Sequence, residues 1–169
     1  MNDALQFITD FETHYAYDAG FMRDMLHHTP NAFDLFQQFL PMARHRELLT
    51  VNDYWVAKIA AMMVEDCGAC LQLNVRMARE QEVSVDLVKA ALAGGADLPE
   101  PLHQLFQYAQ QVAGQGVVDS DLMAQMRSRY SKGQLLELGL CVASAKVFPT
   151  IKRALDEKLS CALIQVEID

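Results

Sequence analysis

Apolar residues recur at helical spacing along almost the whole chain. In the segment from Thr50, Val56, Ile59, Ala60 and Met63 fall at i, i+3, i+4 and i+7, which predicts a helix with one apolar face. Start signals divide the pattern. Thr29 precedes Pro30, Thr50 precedes Asp53 by three positions, and Ser131 precedes Gln134 by the same spacing, each arrangement suited to the first turn of a helix. Gly20, Gly94-Gly95, the Pro99/Pro101 pair and Gly114 to Gly116 separate helical stretches, and Pro149 is expected to kink or end the helix that begins near Ser131. The expectation is an all-α fold of roughly seven or eight helices with short connections. Only the tail "CALIQVEI" alternates, weakly, as a short extended arm would.

With 169 residues, 51% of them apolar, the chain suits a single helical domain over residues 1–169 that buries a core without metal or disulfide staples. Fourteen Lys and Arg against 22 Asp and Glu leave a net charge of −8, which opposes phosphate backbones and anionic membrane surfaces. The start "MNDALQFITDFETHY" lacks the basic and apolar regions of a secretory signal, and Lys58, Glu137 and Lys146 interrupt the two longest apolar stretches. A soluble cytoplasmic protein without nucleic-acid or membrane partners is expected, and its four cysteines are expected as free thiols or one redox pair.

The pair with motif character is in "VEDCGACLQLN". Cysteines at i and i+3 share one side of a helix. If the preceding helix ends near Val64 and Asp66 caps the next, Cys67 and Cys70 occupy its first turn, where free N–H groups and the helix dipole favour thiolate. Glu65 and Asp66 oppose a thiolate electrostatically but are also candidate proton carriers. Two alternatives stand beside a redox pair. The cysteines fit a packed core, or zinc, although no second CxxC or HxxxH supplies further ligands. Lys58, two turns before Glu65 on the same face, is a candidate to lower a thiol pKa or pair with Glu65, or else a snorkelling surface lysine.

The stretch "AKIAAMMVEDCGACLQLNVRMA" resembles the carboxymuconolactone decarboxylase and alkylhydroperoxidase AhpD family, in a subgroup with an "EDCGxCxQ" core. Weaker similarity extends over "YAYDAGFMRDML", "TPNAFDLF" and "LGLCVASAKVFPTIKRAL". The resemblance implies a helical hairpin carrying CxxC, assembly into dimers or larger rings, reduction of hydroperoxides without a bound cofactor, and re-reduction by an external thiol, a lipoylated protein in AhpD-type members. It implies that Cys70 attacks peroxide and Cys67 resolves. The family's Glu and two His positions hold Trp55, Ala69 and Asn74 here, so its proton relay is absent as written. Glu65, Asp66 and Lys58 are the substitutes considered, with Asn74 and Gln72 as hydrogen-bonding partners for substrate oxygen and Trp55 as a pocket wall.

His14, His27, His28, His45 and His103 have no partners at ligand spacing, Cys141 reads as buried core, and Cys161 has no motif around it. The leading expectation is a thiol-dependent peroxidase or disulfide oxidoreductase acting on a small hydroperoxide or disulfide. The alternatives are a small-metabolite decarboxylase or isomerase on the same scaffold, and a non-enzymatic redox sensor or scaffold oligomer.

Overall fold

A computed structural model of the protein describes residues 2–114, 116–156 and 166–168. The described residues form an all-α fold of nine helices: α1 (Asn2–Tyr15), α2 (Gly20–His28), α3 (Pro30–Ala43), α4 (Val51–Val64), α5 (Gly68–Glu80), α6 (Val85–Leu92), α7 (Glu100–Ala113), α8 (Ser120–Arg129) and α9 (Lys132–Ala154). The count exceeds the expected seven or eight because some breaks are very short. Thr29 alone separates α2 from α3: a residue before proline is pushed out of the helical region, and Thr29 sits at φ −148° and ψ 71°. Cys161 and most of the tail expected as an extended arm lie outside the described residues.

Local capping follows the sequence. Thr50 accepts a hydrogen bond from the Asp53 N–H at the start of α4, and Ser131 and Gln134 form a complete capping box at the start of α9. Thr29 occupies the N-cap of α3 with Pro30 behind it, but its side chain makes no capping bond.

The centre of the molecule is α4. All ten residues from Asp53 to Met62 are buried, so the one-faced helix expected from the spacing of Val56, Ile59, Ala60 and Met63 is in fact covered on every side. Ala57, Ala60 and Ala61 keep its surface shallow, and α5, α6, α7 and α9 pack around it. A second apolar cluster joins α1, α2 and α3 through Ile8, Phe21, Met22, Phe33 and Phe36, and reaches α5 at Leu73. Phe148 of α9 packs against both clusters.

Pro149 does not end α9, which runs on to Ala154. Ala145, Pro149 and Lys152, spaced four and three apart, are all buried, so packing along one face carries the helix past the missing N–H. By length and composition α9 also meets the requirement for crossing a membrane, contrary to the expectation drawn from Glu137 and Lys146, because two charges in so long an apolar segment are too few to exclude it. In this fold it packs against α3, α4, α7 and α8 and buries Glu137 and Lys152.

Glu137 anchors the connection into α4. Its carboxylate accepts from the backbone N–H groups of Glu47, Leu48 and Leu49 at 2.8, 2.9 and 3.4 Å. Burial works against the charge, but the three N–H donors outweigh it and hold this carboxyl below its ordinary range. The folded state therefore binds this proton more weakly than the unfolded chain. The stabilisation is complete above the ordinary carboxylate range and is lost as pH falls through the depressed folded value. Glu137→Gln is expected to cost about 1–3 kcal/mol at neutral pH and to flatten the acid limb of stability, measured as denaturant midpoints across pH.

Candidate functional site

The connection from α4 to α5 is three residues long, and its geometry places the thiols. Glu65 ends α4, and Asp66 takes a left-handed conformation, φ 50°, that aspartate tolerates better than most residues. That conformation removes Asp66 from the N-cap position expected for it. Cys67 is the N-cap of α5 instead, at φ −116° and ψ 95°, and its carbonyl accepts from the Leu71 N–H at 2.8 Å. Cys70 follows in the first turn.

Both cysteines are buried and are not joined as a disulfide. The Cys67 thiol donates toward the Cys70 sulfur with 2.8 Å between the two atoms, so the pair faces itself as i, i+3 spacing requires. Cys70, but not Cys67, lines a cavity of about 490 Å³. The cavity lies between the two apolar clusters. Phe11 and Met22 belong to its N-terminal side, Trp55 and Met62 to α4, and Met77 to α5.

The remaining sequence candidates separate in space. Trp55 is a wall of the cavity, held by a bond from its indole Nε1 to Gln81 Oε1 at 3.1 Å. Asn74 lines it too, with its side-chain amide donating to the Cys70 carbonyl at 2.7 Å. Gln72 does not line the cavity: it exchanges two hydrogen bonds with the backbone of Glu167, at 2.9 and 2.7 Å, and so holds residue 167 on α5. Glu65 turns to α9, where Arg153 Nη2 lies at 2.6 Å and Lys146 Nζ at 3.8 Å, and Asp66 is exposed. Neither acid lines the cavity.

Lys58 lines the cavity wall but is neither a surface lysine nor a partner of Glu65. Its Nζ is buried and donates to Ala43 O at 3.2 Å, Cys141 O at 3.0 Å and Ser144 Oγ at 2.5 Å. Seven positions along α4 point Lys58 toward α3 and α9 at a different level from Glu65, which has its own cations. Burial pushes the Lys58 amine below its ordinary pKa and the neighbouring Cys141 thiol up to about 11.

Two residues at the site carry no signal in a linear reading. The Tyr17 hydroxyl lies 3.7 Å from Cys70 Sγ and lines the cavity. Lys152, completely buried, donates to the same hydroxyl at 3.4 Å, with its Nζ 4.8 Å from the Tyr17 ring centroid. Tyr17 is set in place by a polar clasp between α1 and α5. Tyr15 donates to Glu80 at 2.7 Å, His14 Nε2 lies 2.9 Å from the same carboxylate, and Arg76 donates to the carbonyls of Tyr15 and Ala16. The hydrogen bonds from Tyr15 and then His14 hold the Glu80 carboxyl below its usual range, and burial foremost pushes the Tyr15 phenol up to about 12.

Among the described residues no three His, Cys, Asp or Glu side chains gather as a metal site requires. Compared with protein families, curated proteins and solved structures, the chain matches none. A mild oxidant is expected to join Cys67 to Cys70, and iodoacetamide at pH 8 to leave Cys141 untouched in the folded protein because its thiol stays protonated. Peptide mass mapping reads both, and alkylation of Cys141 at a rate matching Cys70 would contradict the burial argument.

Proposed function

We propose that the protein is a thiol-dependent peroxidase of the AhpD-like type that reduces small hydroperoxides through Cys67 and Cys70. The observation that carries this reading is the placement of the two sulfurs: 2.8 Å apart at the start of α5, with Cys70 alone open to a largely apolar cavity of about 490 Å³. The order implied by the resemblance, Cys70 attacking and Cys67 resolving, agrees with which sulfur faces the cavity.

In the first step the Cys70 sulfur attacks the outer peroxide oxygen, the O–O bond breaks, and Cys70 becomes a sulfenic acid while the hydroperoxide leaves as alcohol. Cys67 then attacks the Cys70 sulfur, releasing water and forming the disulfide. An external dithiol, in the family a lipoylated protein, supplies two electrons and two protons to restore the thiols. Trp55 walls the substrate space and Asn74 fixes the first turn of α5. Glu65 keeps the α4 end against α9, and Lys58 holds the cavity wall. The protein acts as a dimer or larger homo-oligomer in the reducing cytoplasm, with no resident cofactor.

Cys70→Ser is expected to lose hydroperoxide consumption driven by dihydrolipoamide, falling to the uncatalysed rate. Cys67→Ser is expected to stop after one attack with a sulfenic acid on Cys70 that dimedone traps. Undiminished turnover by Cys70→Ser overturns the proposal. Light scattering is expected to give a multiple of the 19.0 kDa chain mass, and a strict monomer counts against the family reading.

A further inference from the structure

The cavity beside Cys70 is long as well as apolar. Cys70, Leu73, Asn74, Met77, Glu80 and Gln81 line it from α5, a stripe at helical spacing that follows one face of the helix to its end. From Cys70 to Gln81 the helix rises about 16 Å, the reach of an extended acyl chain of roughly a dozen carbons. Helix α4 lines the same space in the opposite sense. Met62, in its last turn, is at the thiol end, and Trp55 meets Gln81 at the other.

The end away from the thiol carries charge. There the α3–α4 connection adds Arg44 and Arg46 to the lining, and Arg44 stands within electrostatic reach of Tyr15, Tyr54 and Glu80. Both arginines are exposed, and among the described residues neither forms an ion pair; Arg46 donates to the Leu49 carbonyl at 3.2 Å. Of the two acids in the lining, Glu80 is engaged by Tyr15 and His14, and Glu82 is exposed. Lys58 is a third cation, 4% exposed, and its partners Ala43, Cys141 and Ser144 offer neutral oxygens that do not cancel its charge. A chain with a net charge of −8 thus gathers three cations against two acids around this cavity.

We infer that the cavity binds a linear acyl chain ending in a carboxylate, with the carboxylate at Arg44 and Arg46 and the chain laid along α5 toward Cys70. A guanidinium presents paired N–H donors that match a carboxylate, while Leu73, Met77 and Met62 receive the methylene groups. An uncharged chain fills the same walls without the ionic contact, and a cationic chain meets like charge. Resting on the peroxidase reading, the inference also names the substrate class: an acyl hydroperoxide whose O–O bond lies at the far end of the chain from its carboxylate. The arginines hold that substrate and take no part in the bond changes at Cys70.

Trp55, the sole tryptophan of the chain, is in the cavity wall, so its emission reports what enters. The test titrates the reduced full chain with dodecanoate, dodecan-1-ol and dodecylammonium, each below its micelle-forming concentration, reading affinity by calorimetry and place by Trp55 emission. Dodecanoate is expected to bind about tenfold more tightly than the alcohol and to weaken with salt, and dodecylammonium to bind most weakly. Arg44→Gln combined with Arg46→Gln, two exposed positions, is expected to erase the preference for dodecanoate. Turnover gives a second reading with ω-hydroperoxydodecanoic acid and its methyl ester. The double variant is expected to raise the KM of the acid about tenfold more than that of the ester, with kcat moving alike for both.

Equal affinity for dodecanoate and dodecan-1-ol overturns the inference, as does a preference for dodecanoate that survives the double substitution, or binding that leaves Trp55 emission unchanged. Reduction of both hydroperoxides without preference for the acid overturns it too and leaves the peroxidase reading in place. Arginine-dependent binding of dodecanoate by a protein inert to both hydroperoxides removes the peroxidase reading and supports the acyl-carboxylate site.

Discussion

Lys58 brings an amine into the interior of the protein, and the three oxygens that receive it come from two other helices: the Ala43 carbonyl closing α3, and the Cys141 carbonyl and Ser144 hydroxyl in α9. An amine buried this deeply is tolerated only if its protons are used, because an unmet donor costs the desolvation of the group. The bonds therefore fix α3 and α9 relative to α4 at one level. Asp53, the buried acid of α4, is met in a similar way by the Tyr130 hydroxyl at 3.1 Å and by Arg129 at 3.6 Å. A central helix covered on all sides thus prescribes where its neighbours stand.

The thiol site is a consequence of that frame. Because α4 is enclosed, the chain leaves it through a tight turn, and the left-handed Asp66 directs the next residues back along the cluster with Cys67 as first cap. The α1–α3 layer meets this frame mainly at α5 and α9, and the cavity occupies the space between them. Both sides then contribute to one sulfur atom: α5 presents Cys70, the α1–α2 connection brings Tyr17, and α9 brings Lys152.

Much of the fold was legible where the relevant physics is local. The caps at Thr50 and Ser131 depend on residues three positions apart, and both formed. The all-α class follows from periodicity sustained along the chain. What a linear reading missed has a common cause in distance. The full enclosure of α4 depends on four other helices, and the helix through Pro149 survives because residues on both sides of it are packed. Cys67 and Cys70 were visible as a spaced pair, whereas Tyr17 stands 53 positions from Cys70 and 135 from Lys152, so no spacing rule connects them. Glu65 was judged by its nearness in sequence to the thiols, yet its partners are on α9, 88 residues away for Arg153.

Under the peroxidase proposal, Cys70 is oxidised by peroxide and Cys67 closes the reaction on it. Its most direct test is a single turnover: reduced protein mixed with one equivalent of cumene hydroperoxide, quenched over time and mapped by peptide mass. The predicted result is consumption of one peroxide per chain, an oxygen adduct appearing first on Cys70, and its replacement by a Cys67–Cys70 disulfide. Peroxide left unconsumed, or an adduct that appears first on Cys67, would contradict it.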